Sequence, residues 1–169
     1  MIEKHPFGDF IPKNAKYFLL GSFTGKILDN SYDWYYGTKR SQFWKIIENV
    51  YSLKLENKEA KQKLFTDLNI AISDIILSCE RKSNSNLDNN LINIIFNKKV
   101  EEIITKNKIK KIFFSSRFVE KLFRRHFKDL MSENSEIELI TLPSPSPRYA
   151  TMNFSEKVKK YQEILPKLV

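Results

Sequence analysis

A chain of 169 residues is about the size of one compact domain with a full core, and its 41% hydrophobic content excludes a disordered or fibrous class. A single cysteine, Cys79, excludes an internal disulfide, and two histidines, His5 and His126, assemble no zinc-ligand spacing, so no metal and no other cofactor is expected. A formal net charge of +9 and a pI near 9.5 make a polyanion a natural partner, nucleic acid first, although lysine on solvated helix faces gives the same sum.

Short β-rich runs alternate with amphipathic stretches, the pattern of an α/β domain in which crossover helices cover both faces of a parallel sheet. Strands are expected at residues 17–23, 71–77, 109–115 and 137–142, each apolar enough to be buried on both faces. Between them lie helical stripes: Phe43, Ile46, Ile47 and Val50, then Val100, Ile103 and Ile104, then Phe118, Leu122 and Phe123. The asparagine-rich segment 84–93 reads as a surface loop or a frayed helix start. A terminal helix carries Phe154, Val158, Tyr161, Leu165 and Leu168 on one stripe, with Asn153 and Glu156 spaced as a capping pair. No repeat or linker divides the chain, so one domain over residues 1–169 is expected, monomeric by default. The longest apolar runs, such as 17–20 and 112–114, are too short to span a bilayer. Met1-Ile2-Glu3-Lys4 lacks the apolar core of a signal peptide, which makes the cytoplasm the expected compartment.

Ligands of such sheets bind beyond the carboxyl ends of the strands, which directs attention to the segments that follow them. Gly21-Ser22-Phe23-Thr24-Gly25-Lys26 is not a Walker A loop: three residues rather than four separate its glycines, and Ile27 follows the lysine. Its glycines allow a sharp turn and close approach to a ligand, or simply end a strand. Trp34-Tyr35-Tyr36-Gly37 places rings where they can stack on a planar base or wedge the loop onto the domain, while Phe43 and Trp44 are expected to pack inside. Asp74 lies in an apolar run, where a charge must be paired or used. It can accept an N–H from hypoxanthine or uracil and repel the unprotonated ring nitrogen of adenine or cytosine, or it can form a buried salt bridge with Arg81 or Lys82. Leu142-Pro143-Ser144-Pro145-Ser146-Pro147-Arg148 is stiffened by three prolines and suits a DNA backbone better than an SH3-type partner, because it directly follows a buried strand.

Taken in order, these segments resemble the uracil-DNA glycosylase superfamily over nearly the whole chain. His5-Pro6-Phe7-Gly8-Asp9-Phe10, Leu19-Leu20-Gly21-Ser22-Phe23, Tyr35-Tyr36-Gly37, Phe43-Trp44, Ser73 to Arg81 and Leu87-Asp88 look like its hypoxanthine-DNA glycosylase (deoxyinosine glycosylase) branch. The stretch from Tyr36-Gly37 to Trp44-Lys45 is also similar to mismatch-specific uracil-DNA glycosylase. The resemblance implies a three-layer α/β/α sandwich around a four-stranded parallel sheet. It also implies base binding by Phe23, Tyr36 and Asp74, with Asp74 at the place of a base-reading asparagine. Ser144 and Ser146 would hold DNA phosphates, and Arg148 or Tyr149 would fill the gap left by the flipped nucleotide.

The chain departs from the family where catalysis is concerned. Phe23 or Thr24 stands where many relatives place a water-positioning Asp or Asn, Ser41 where the hypoxanthine branch places an asparagine, and Leu142 where the fastest uracil enzymes place a histidine. Ser115-Ser116 replaces a set that often contains asparagine. Ser22, Thr24 and Ser41 remain as hydroxyls able to orient a water, and a neutral hydroxyl is a poor base. No lysine is placed as a Schiff-base nucleophile. The expectation is therefore a monofunctional glycosylase of base excision repair, weak or silent, releasing hypoxanthine or uracil from lesion-containing DNA. Its rivals are a silent DNA- or nucleotide-binding module with the same fold, and a basic interaction protein unrelated to nucleic acid.

Overall fold

The computed structural model describes residues 1–24, 32–83 and 87–169. Their elements, in chain order, are β1 (Glu3–Lys4), β2 (Tyr17–Gly21), α1 (Phe43–Tyr51), α2 (Lys58–Asp67), β3 (Ile70–Asp74), β4 (Ile76–Arg81), a 3-10 turn (Asp88–Asn90), β5 (Leu91–Phe96), α3 (Lys99–Lys106), β6 (Lys111–Phe114), α4 (Arg117–His126), α5 (Lys128–Glu133), β7 (Glu138–Thr141) and α6 (Phe154–Ile164).

Strands β3, β2, β6 and β7 pair in that order as a four-stranded parallel sheet. Because side chains alternate along a strand, each strand feeds two cores. Phe18, Leu20, Ile112 and Phe114 point into a layer closed by α3, α4 and α5. Leu19, Ile72 and Phe113 point into the opposite layer, closed by α1, α2 and α6. This is the expected three-layer arrangement, with a helical layer on each face of the sheet.

The helical stripes bury Phe43, Ile46 and Ile47 in α1, with Val50 partly buried, and Val100, Ile103 and Ile104 in α3. In α4, Val119 and Phe123 are buried most deeply, with Phe118 and Leu122 packed at the edge. Asn153 and Glu156 form the complete capping box that opens α6. The stripe ends sooner than expected, since α6 stops at Ile164, Leu165 caps it and Leu168 is exposed. Helix α2 was not expected, because its charged sequence shows only Leu64 and Phe65 as apolar residues to the core, beside the buried Lys61.

Two expectations about strands are corrected. The run 71–77 is not one strand: β3 ends at Asp74, and after Ile75 the chain crosses into a second, antiparallel sheet of order β1-β4-β5. Ile75 N–H still bonds to Gly21 O at 2.8 Å, while Ile75 O already accepts from Asn97 N–H at 2.8 Å. Hydrophobicity runs through this change of partner unbroken, so composition does not mark it. Of segment 84–93, residues 84–86 lie outside the described residues, Asp88–Asn90 forms the 3-10 turn, and Leu91 starts β5. The strand is irregular where its asparagine sits, with Asn93 at φ 51° beside a register shift, which is why it reads as a loop. No described helix is long and apolar enough to cross a membrane.

Candidate active site

The parallel strands β2 and β3 end side by side, with Gly21 paired in register with Asp74. A Cβ on Gly21 would strike Asp74 Oδ1 and would lie 2.6 Å from the Tyr36 hydroxyl oxygen. Glycine is required here by close approach: one carboxylate oxygen and one phenol crowd the same backbone position. Ser115 follows the end of the neighbouring strand β6, its N–H bonded to Leu20 O at 3.0 Å.

Tyr36 is held in the left-handed region at φ 58°, a costly conformation for an aromatic residue, and its ring stacks on Phe43 with centroids 4.2 Å apart. Its hydroxyl is buried and has no hydrogen-bond partner among the described residues. Burial, and then the negative charge of Asp74, raise its pKa well above the ordinary phenol value against a smaller opposing effect of Ser115, so the group is a neutral donor. The neighbouring rings behave differently. Trp34 and Tyr35 are buried, Trp34 stacks on Trp44, and Tyr35 donates to Gly8 O at 3.1 Å, so these rings do wedge the loop onto the domain.

Asp74 has a partner that sequence proximity did not suggest. His5 Nε2 lies 2.6 Å from its Oδ2, with both side chains almost wholly buried. The expected partners are engaged elsewhere or exposed: Arg81 pairs with Glu3 at 2.7 Å and donates to Thr24 O at 3.1 Å, and Lys82 faces solvent. Burial alone would lower the His5 pKa, but the hydrogen bond and charge of Asp74 outweigh it and raise it above the ordinary value. Phe7, Phe23 and Tyr35 pack around the imidazole, with ring centroids at 6.0, 5.7 and 5.3 Å. Behind Asp74, Asn97 Nδ2 donates to Asp74 O at 3.1 Å and to Ser73 Oγ at 3.0 Å, and Ser73 donates to Asp9. This network fixes the strand end that carries the carboxylate.

The three candidate hydroxyls have different surroundings. Ser22 Oγ donates to Asp88 Oδ1 at 2.8 Å. Thr24 is buried and its hydroxyl is hydrogen-bonded to that of Tyr32. Ser41 Oγ accepts from Phe43 N–H at 3.3 Å beside the start of α1. Gly25 and Lys26 lie outside the described residues.

Segment 143–149 rests against the start of α1, where Gln42 N–H bonds to Pro145 O at 2.9 Å. Ser144 Oγ accepts from Ser146 N–H, and Ser146 Oγ accepts from Arg148 N–H, at 3.3 and 3.2 Å, so each hydroxyl braces the turn it begins. Lys157, buried in α6, donates to Gln42 Oε1 and Ser146 O, both at 2.9 Å, and Tyr161 donates to Pro143 O at 2.7 Å. Arg148 and Tyr149 remain exposed. Tyr36, stacked on Phe43, connects the ends of β2 and β3 to this loop through the first turn of α1.

A small apolar hollow lined by Leu19, Phe43, Ile47, Phe65 and Leu142 lies behind Phe43, and its walls offer a base no hydrogen bond. Among the described residues no three His, Cys, Asp or Glu side chains converge so as to hold a metal ion. Sequence reasoning missed His5 and Asp88 as members of the site. Both stand in segments that carry the family resemblance, but their partners lie 69 and 66 residues away.

No family model and no curated protein matches the chain. Among solved structures, it is similar to the solution NMR structure of a "putative uracil DNA glycosylase" from Methanosarcina acetivorans. The TM-score is 0.67 at 20% identity, over 96% of this chain and 98% of the other. The two chains share a fold along essentially their whole length.

Proposed function

We propose that the protein is a monofunctional DNA glycosylase that hydrolyses the N-glycosidic bond of a flipped deaminated base, hypoxanthine or uracil. The observation that carries this reading is the pairing of an acceptor, Asp74 Oδ1, with an unpartnered buried donor, the Tyr36 hydroxyl, over the bare backbone of Gly21. An acceptor beside a donor complements an N–H beside a C=O, which is the edge that hypoxanthine presents at N1–H and O6 and uracil at N3–H and O4. Adenine and cytosine present the opposite order, a bare ring nitrogen beside an amino group, and meet acceptor against acceptor. Leaving a buried donor unsatisfied costs about 1–3 kcal/mol, which such a base would recover.

The His5 contact serves the same chemistry. The base departs with the electron pair of its glycosidic bond, and a lone carboxylate beside it would oppose that charge. An imidazole hydrogen-bonded to Asp74 offsets the opposition while leaving Oδ1 to read the ring. The half-buried rings of Phe23 and Tyr36 give the base apolar contact. Ser144, Ser146, Arg148 and Tyr149 take the DNA backbone and the vacated stack. A bound, silent fold is the second reading, favoured by the engagement of Thr24 with Tyr32 and of Ser41 with the helix start.

The deciding experiment uses oligonucleotides with one hypoxanthine or uracil, single-stranded and mispaired, treated with hot alkali after incubation. Strand cleavage appearing only after alkali is expected. Asp74→Ala should abolish it while leaving DNA binding largely intact. Unchanged release by that variant removes the base-reading role from Asp74, and binding without release by the wild type selects the silent module.

A further inference from the structure

The proposed reaction needs a group that takes a proton from water, and the hydroxyls at the strand ends are poor bases. A carboxylate stands beside one of them. Asp88, carried by the 3-10 turn before β5, accepts the Ser22 hydroxyl proton on Oδ1 at 2.8 Å. The side chain is half-buried, and Oδ2 makes no hydrogen bond or ion pair among the described residues. Ser22 immediately follows β2, next to Gly21, so this contact brings Asp88 to the strand end where Asp74 and Tyr36 meet.

Resting on the glycosylase reading above, we propose that Asp88 is the catalytic base of the reaction and that Ser22 holds it and its water in place. With its proton committed to Oδ1, Ser22 still offers an acceptor lone pair, and Asp88 Oδ2 offers another. A water donating one hydrogen to each turns its own lone pair outward, toward the sugar. In the step, the water oxygen bonds to C1′ and the C1′–N bond breaks with its electron pair going to the base. One water proton passes to Asp88. The base takes up a proton from solvent, and Asp88 returns its own.

The surroundings favour the basic role. Burial raises the Asp88 pKa above the ordinary aspartate value, and the charge of Asp74 on β3 adds to this. The Ser22 hydrogen bond and Arg81 on β4 act the other way without cancelling it. A carboxylate so placed holds a proton better than a surface aspartate does. It differs from Asp74 in geometry too, since Asp74 is committed to His5 and Asp88 meets no cation within bonding distance among the described residues.

The test is single-turnover base release from the lesion that the wild type cleaves, measured across a pH series with Asp88→Asn and Ser22→Ala and accompanied by lesion-DNA binding. Asp88→Asn keeps the shape and the Ser22 contact, and is expected to slow release by roughly 10²–10⁴-fold, to leave binding within about threefold, and to lose the acidic limb of the profile. Ser22→Ala keeps the carboxylate but removes a contact that lowers its proton affinity, so its acidic limb should move to higher pH. That shift is a readout that a purely structural Asp88 would not give, and it stands even if Asp88→Asn fails to fold. Release by Asp88→Asn within about threefold of wild type, or an unmoved limb in Ser22→Ala, overturns the proposal and leaves the glycosylase reading standing. A wild type that binds DNA and releases neither base overturns both.

Discussion

At the scale of single residues, the His5–Asp74 pair makes a prediction that needs no substrate. The imidazole is buried among rings, which by itself would favour its neutral form, yet the Asp74 carboxylate at 2.6 Å, with Asp9 adding charge, lifts its pKa above the ordinary value near 6.5. A pKa raised on folding stabilises the protein fully below the unfolded-state value, and that contribution fades as pH rises through the folded-state value. Urea unfolding of wild type and His5→Gln should therefore show the largest gap in the mildly acidic range and a narrowing gap above about pH 6.5. A gap independent of pH would mean that folding leaves the proton affinity of the ring unchanged. The same pair explains why Asp74 tolerates its setting. A carboxylate amid apolar strand residues must be paired or used, and here one oxygen is paired with His5 and the other lies against the Gly21 backbone beside the Tyr36 hydroxyl.

Among elements, α6 combines a fold-building role with one at the site. Tyr161 fills the core while its hydroxyl holds Pro143 O, and Lys157 ties Ser146 O to Gln42, so one helix locks the proline-rich segment onto the start of α1. Replacing Lys157 by Met keeps the apolar stem and strands two inward-facing oxygens, for an expected loss of about 1–3 kcal/mol by chemical denaturation. A loss under about 0.5 kcal/mol, the range of an ordinary surface change, would show that the ammonium is not the tie. The helix was legible in the sequence because its stripe and capping pair are local signals, and the parallel strands because each is a short apolar run. Lys157 was not, since a lysine in a charged stretch with the exposed Glu156, Lys159 and Lys160 has no local mark of burial. The second sheet escaped for a related reason. Strand β1 is two residues long and pairs far along the chain, β4 continues the apolar run of β3, and the irregularity at Asn93 breaks the alternation that would reveal β5. Asp74 stood out in the sequence as a charge in an apolar run, and Tyr36 only as one of a cluster of rings and through the family resemblance, whereas the His5 and Asp88 contacts are ones that folding creates.

For the molecule as a whole, the net charge of +9 has two readings that salt can separate. If the cations serve a DNA-binding face, each phosphate they neutralise releases counterions, and the logarithm of the affinity for undamaged duplex falls linearly with the logarithm of salt concentration. If lysine merely solvates helix faces, affinity is weak and the slope stays small. The structure gives the first reading a specific handle in Arg148, exposed at the end of a segment held by Gln42, Lys157 and Tyr161. A guanidinium on a fixed support loses little freedom on binding, so its contribution should exceed that of a cation on a free surface helix. Titration of a labelled duplex from about 50 to 200 mM salt should give a steep slope, and Arg148→Ala should reduce it by about 1 at constant fold stability. An exposed lysine on the far layer, such as Lys106, which is already paired with Glu102 at 2.6 Å, should leave the slope unchanged when removed. Equal effects from both would mean that the charge attracts DNA diffusely and that segment 143–149 is not where the backbone is held.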